Sequence, residues 1–289
     1  MFRLAILALW LCSPLSQAAE RLMLWEATGK QGTVYLFGSI HVCKAACFPL
    51  DESITSRLAA SDALVLELDT TRAGIQSVLM SAAMLPAGES LQNKLPPDDW
   101  QRLKHALESE GLPLQGTERL RPWMLGLLLS IQAAQRSGFE VSQGIDFWML
   151  KRAKELGKPI LELETPERQI AAISSGSEQE QMDALRLLVE QHQRGRLPAM
   201  FEALRRAWAA GDETALLALL KEGTPAGSSM THELIERRNA EMTEKLLEFQ
   251  RQAQKLFVVV GAAHLVGPAG IPARMAQRGF TLRQLAKGE

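Results

Sequence analysis

Two short apolar runs in this chain end alike. Val34-Tyr35-Leu36-Phe37 leads into Gly38-Ser39-Ile40-His41, and Phe257-Val258-Val259-Val260 leads into Gly261-Ala262-Ala263-His264. Runs rich in β-branched and aromatic residues read as buried strands, and a Gly just after such a strand is expected to let the backbone turn sharply at the sheet's carboxyl edge. Open α/β sheets build their sites along that edge. The match continues downstream, because Pro49 and Pro272 each lie eight residues past their histidine and precede a helix-like segment and a further apolar run. The chain therefore repeats a unit of strand, Gly-x-x-His, loop, Pro, helix and strand, and any fold for it must accommodate both copies.

The 289 residues are 46% apolar, ample for a core. Met1-Phe2-Arg3, the run Leu4 to Leu11 and Ser16-Gln17-Ala18 match the charged, apolar and small-residue parts of a secretory leader, with cleavage expected after Ala18 and a periplasmic or secreted product. The apolar run is too short to span a bilayer, so no stable membrane span is expected once the leader is gone; an uncleaved anchor is the alternative. Basic and acidic residues nearly balance, 32 against 33, which argues against nucleic acid as a partner. Cys43 and Cys47, just past His41, read most simply as a disulfide in an exported protein. The competing reading joins His41, Cys43 and Cys47 as ligands of a soft metal such as zinc.

Leu22 to Ala27 and Thr33 to Phe37 flank a Gly-containing turn and predict a hairpin. Asp51 or Ser53 is placed to cap a helix reaching Ala60, and strands are predicted over Ala63 to Asp69, Lys158 to Glu164 and Leu256 to Val260. Helices are expected through 72–157 and again through 178–194, 198–221 and 230–253. The last strand must return to join the first ones, so the pattern predicts one α/β domain over 19–289. In it a central mixed sheet carries the Gly-x-x-His ends, with a large helical layer or cap inserted at about 72–157 and 170–253. An α+β arrangement is the alternative.

The strand ends offer His41, Glu67 with Asp69, Glu164 and His264. Two imidazoles with one or two carboxylates suit a divalent metal with open positions, which lowers the pKa of bound water and polarises a carbonyl. The plain alternative is that each is a satisfied polar residue or a helix cap. Thr231-His232-Glu233-Leu234-Ile235 begins like a zincin helix but has Glu236 where the second His belongs. Ser39 acts as a nucleophile only if the fold supplies a base, since no Gly-x-Ser-x-Gly elbow is present.

On Gly38-Ser39-Ile40-His41, Leu66-Glu67-Leu68-Asp69, Arg121-Pro122-Trp123, Gly144-Ile145-Asp146, Leu163-Glu164-Thr165 with Gln169, Arg238-Asn239 and Gly261-Ala262-Ala263-His264-Leu265 with Gly267, the chain resembles the TraB/GumN family. That group also contains the TIKI metalloproteases and is distantly similar to erythromycin esterases and the haem-uptake ChaN proteins. The resemblance implies a divalent metal (Mn, Co or Zn) held by His41, Glu67 and His264, with Arg238 and Asn239 polarising a substrate carbonyl and Asp146 and Glu164 in support. The expected function is an exported metal-dependent hydrolase, a peptidase acting on a peptide or small-molecule substrate. Two alternatives follow from the same likeness: a haem- or metal-binding protein without catalysis, and a metal-free esterase with His41 as base. The Cys43 to Cys47 loop departs from the family's plainer loop.

Overall fold

The structure, a computed structural model, describes residues 20–225, 228–252 and 255–289; the expected leader over 1–18 lies outside them. Strands β1 (Arg21–Gly29) and β2 (Gly32–Ser39) form the predicted hairpin, with Gly29 opposite Gly32. Helix α1 (Glu52–Ala59) follows, its first turn capped by Asp51 accepting from the Ser53 N–H at 2.9 Å, and β3 (Ala63–Leu66) returns. A helical stretch then runs through α2 (Ile75–Ala83), α3 (Leu91–Lys94), α4 (Pro97–Ser109), α5 (Leu114–Thr117), α6 (Pro122–Arg136) and α7 (Ile145–Glu155) to the short β4 (Ile160–Glu162). After it come α8 (Pro166–Ile173), α9 (Glu178–Gln193), α10 (Leu197–Ala209), α11 (Glu213–Glu222), one π-helical turn over His232–Arg237 and α12 (Arg238–Gln250). Strand β5 (Lys255–Gly261), α13 (Ile271–Gln277) and β6 (Thr281–Ala286) close the chain.

The helix expected over 198–221 is two helices. Gly211 stands at φ +60 against the backbone of Arg21 and Leu22, where a side chain would collide, and Asp212 then caps α11 through the Ala215 N–H. The strand expected over Ala63 to Asp69 is regular only to Leu66; one further ladder bond reaches Glu67 O, and the chain then turns at Asp69, whose carboxylate accepts from the Thr71 N–H at 2.9 Å.

One six-stranded mixed sheet organises the fold in the order β4-β3-β5-β2-β1-β6. Strands β2, β5, β3 and β4 run parallel, while β1 is antiparallel to both β2 and β6. Leu36, Leu64, Phe257 and Val258 are fully buried, as near-continuous apolar runs require when a parallel sheet is covered on both faces. A second apolar cluster, built around Leu91, Leu107, Leu125, Leu129 and Leu185, joins helices from α2 to α6 with α9.

The two repeat units sit side by side, since β2 and β5 pair in parallel with Ser39 opposite Gly261. From there the connections diverge: β2 passes through α1 to β3 on one side, and β5 passes through α13 to β6 on the other. Right-handed crossovers leaving in opposite directions put their helices on opposite faces and open a crevice at the carboxyl ends of the two middle strands. Both Gly-x-x-His motifs end in that crevice.

Candidate functional site

The glycines of the two motifs serve close approach, not a turn. Neither adopts positive φ, and Gly261 sits at φ −51, ψ 136. A Cβ on Gly38 would come within 2.5 Å of Met23 Cγ and 3.0 Å of Ala262 Cα. A Cβ on Gly261 would lie 3.4 Å from Glu67 Oε1, 3.6 Å from His264 Cδ2 and 3.6 Å from His41 Nε2. The side chain that Gly261 lacks thus marks the point on which Glu67, His264 and His41 converge.

Glu67 reaches this point because the β3–β4 ladder runs on past its strands: the Leu163 N–H donates to Leu66 O and the Glu164 N–H to Glu67 O, so two carboxylates lie side by side. Arg238, at the start of α12, spans them. Its Nε and Nη2 donate to Glu164 at 2.8 and 2.6 Å, and Nη2 also donates to Glu67 Oε2 at 2.7 Å. Gln169 Nε2 and the Gly261 N–H add bonds to Glu67 at 3.2 and 2.6 Å. Burial alone would raise the Glu67 pKa, but the charges of His264, Arg238 and His41 together with the Gly261 N–H outweigh it and hold the carboxyl at about 2. The carboxylate has one lone pair left, on Oε1.

His264 is buried and bonded through Nδ1 to Asn239 Oδ1 at 2.6 Å. Asn239 Nδ2 donates to the Ala269 carbonyl at 2.8 Å, so its Oδ1 must accept and His264 carries its proton on Nδ1. Burial, aided by the Arg238 and His41 charges, pushes this imidazole down to about 4 against the pull of Glu67, so it is neutral near pH 7. Its Nε2 lone pair then faces Glu67 Oε1 across 3.8 Å, two electron-rich atoms with no proton between them.

His41 stands at the mouth, with Nδ1 3.4 Å from Asp146 Oδ2 at the start of α7. The neighbouring Gly144 packs against the His41 carbonyl, and the Ile145 N–H bonds to Ile40 O. Asp146 raises the His41 pKa above 6.5, and because the side chain is 69% exposed, water screens the pair. Cys43 and Cys47 are joined as a disulfide, and Cys43 bridges Glu140, tying this loop to the segment before α7. With both thiols spent on that bond, the reading of His41, Cys43 and Cys47 as metal ligands is not realised.

The sequence candidates divide cleanly. His41, Glu67, His264, Arg238, Asn239, Asp146 and Glu164 gather at the crevice, whereas Asp69 turns away to Lys154 at 3.1 Å and His232 pairs with Glu236 on the exposed π turn. Arg238 and Asn239 are tied into the site: Arg238 Nη1 gives one N–H to Leu234 O at 3.3 Å and Asn239 Nδ2 gives one to Ala269 O at 2.8 Å, which leaves a second N–H on each of these nitrogens. Sequence reasoning assigned no role to Gln169, which only the neighbouring Thr165 helix cap could have placed near Glu67. It weighed Ser39 only as a nucleophile dependent on a base; the buried Ser39 hydroxyl has no hydrogen-bond partner among the described residues.

Among the described residues no three His, Cys, Asp or Glu side chains are already drawn together as a metal set. The donors nonetheless fit a cation in kind. A Nε2 lone pair and a carboxylate oxygen oppose each other with a second imidazole beside them, and each imidazole is backed on its other nitrogen, by Asn239 and by Asp146, as metal-binding histidines are.

The TraB/PrgY/gumN family model matches residues 23–284. The uncharacterized protein YbaP of Escherichia coli (strain K12) is 33% identical over 48% of this chain and 51% of its own length, so the match spans about half of that relative. Metalloprotease TIKI2 of Xenopus tropicalis is 24% identical over 96% of this chain and 62% of its own length, and that of Danio rerio 26% over 92% and 61%. No solved structure matches the chain. No helix of the described residues is long and apolar enough to cross a membrane.

Proposed function

The chain belongs to the TraB/PrgY/gumN family, and on that premise we propose that it is a metal-dependent hydrolase, a peptidase of the kind its TIKI2 relatives are named for. The observation that carries the reading is the opposition of the His264 Nε2 lone pair, its tautomer fixed by Asn239, to the Glu67 carboxylate at 3.8 Å. His264, Glu67 and His41 would hold a divalent cation, which when bound supplies an activated water and polarises a carbonyl. Glu67 acts as ligand and charge anchor rather than base, since a carboxyl held at about 2 is far from the pKa that proton abstraction near pH 7 favours. Arg238 cancels one of the two buried carboxylate charges and keeps Glu67 ionised. Asn239 orients His264, and Asp146 orients His41. In this reading Arg238 and Asn239 position the site through their bonds to Glu164, Glu67 and Ala269, and each keeps one N–H that can face a substrate carbonyl.

Elemental analysis of purified protein, loaded with Mn, Co or Zn, tests this beside the His41→Ala/His264→Ala double variant. Near one equivalent of metal in wild type, lost in the variant, with peptide hydrolysis abolished by a chelator, is the expected result. Wild type that retains no metal sinks the reading. One observation favours a second reading, a metal-free hydrolase: Asp146 already orients His41 as a general base would need. Hydrolysis that survives the chelator but not His41→Ala would select it. Export on the leader is part of the proposal and is supported by the disulfide beside His41; the intact mass of the secreted form reads out cleavage after Ala18.

A further inference from the structure

Ser39 is only 2% exposed, yet its Oγ finds no hydrogen-bond partner among the described residues. A buried hydroxyl left unsatisfied is a cost that folding alone gives no reason to keep. Its position gives one. Ser39 pairs in register with Gly261 on the adjacent parallel strand, and paired residues project to the same face of a sheet from strands about 4.8 Å apart. The Ser39 side chain therefore emerges beside the point where Glu67, His264 and His41 converge. Neighbouring donors already serve protein groups: Arg238 bonds two carboxylates and Leu234 O, Asn239 bonds Ala269, and Gln169 and the Gly261 N–H bond Glu67.

We infer that Ser39 is a further catalytic residue, whose hydroxyl donates to the substrate oxygen that becomes negative during hydrolysis. The inference rests on the hydrolase reading. As water oxygen bonds to the carbonyl carbon, the C=O π pair moves onto the carbonyl oxygen and Ser39 O–H donates to it. When that pair returns, the C–N bond breaks and the amine leaves with a proton that came from the water. Ser39 itself neither gains nor loses a proton and forms no covalent bond, which separates this role from that of a nucleophile.

The test compares wild type, Ser39→Ala and Ser39→Thr on a quenched-fluorescent peptide pool, and measures calorimetric binding of a phosphinic peptide, a tetrahedral mimic, and of its planar parent peptide. Ser39→Ala should lower kcat by about 10²–10³-fold with KM nearly unchanged. It should weaken the phosphinic peptide and not the parent, and hold or raise the melting temperature because an unpaired buried hydroxyl is removed, while Ser39→Thr restores activity. A kcat within threefold of wild type, or a loss carried by KM alone, overturns the role of Ser39 and leaves the hydrolase reading standing. Wild type that neither cleaves the pool nor binds the phosphinic peptide overturns both.

Discussion

Replacing Arg238 by Met keeps the aliphatic stem and deletes the one cation shared by Glu67 and Glu164. The three side chains are 7%, 10% and 3% exposed, so the carboxylates left behind cannot recover their hydration. Glu67 keeps the Gly261 N–H and Gln169; Glu164 loses both of its bonds to the guanidinium. Removing one partner from a buried ion pair costs about 3–5 kcal/mol. For a chain of this size that is a fall of roughly 10 °C in melting temperature. Urea denaturation at several pH values is the assay, because the deficit should depend on pH with a definite sign. In wild type the folded Glu67 pKa, about 2, lies below its unfolded 4.5, so its contribution is full above about pH 5 and is lost as pH falls toward 2. In the variant the pull of Arg238 on Glu67 is gone and two buried carboxylates face each other without their shared cation, so the native state takes up protons at higher pH than wild type and regains stability as it does. The gap between the two proteins should therefore narrow from pH 7 to pH 5, and adding Glu164→Gln to Arg238→Met should close part of it at pH 7. A deficit below about 1 kcal/mol, or one that stays constant over that range, refutes the buried-charge argument.

Other outcomes follow from the same geometry. In metal-free protein, His264 is held at about 4 when folded and near 6.5 when unfolded. The unfolded chain thus protonates first, and stability should fall by about 3 kcal/mol as pH drops from 6.5 to 4; His264→Gln should flatten that part of the urea-midpoint profile. Gly261→Ala meets only ordinary contacts at 3.4–3.6 Å and no backbone strain, so it should melt within a few degrees of wild type, and under the proposed function it should lose metal and activity. Gly38→Ala instead drives a methyl into Met23 and the Ala262 backbone and should cost about 1–3 kcal/mol by the same melts. Asn239→Leu strands the buried Nδ1–H of His264, costing about 1–3 kcal/mol, and frees the ring to change tautomer, which NMR of the imidazole nitrogens reads directly.

Much of this was legible before any coordinates. Apolar runs with β-branched residues marked β2, β3 and β5, Asp51 announced α1, and the paired motifs required their strands to share one edge. What was hidden depends on partners distant in sequence. Nothing near Asp69 shows that Lys154 will claim it, and nothing near Arg238 shows that β3 and β4 will set Glu67 and Glu164 side by side. The break between α10 and α11 did carry its signal, Gly211 followed by the capping Asp212, but apolar periodicity on both sides masked it. The motif glycines were read for their torsional freedom, whereas the close approach of neighbouring strands is what selects them.

The central place of β5 bears on how this protein comes into being. It lies between β3 and β2, and it brings the Gly261 N–H to Glu67 across 194 residues of chain. Until β5 leaves the ribosome, no strand pairs β1–β2 with β3–β4, so sheet and site must assemble together and late, against the entropy of closing a very long loop. A chain cut before Lys255 should lose the six-stranded sheet in one step, not one strand of it. By the same logic, no incomplete or nascent form of the protein possesses the crevice.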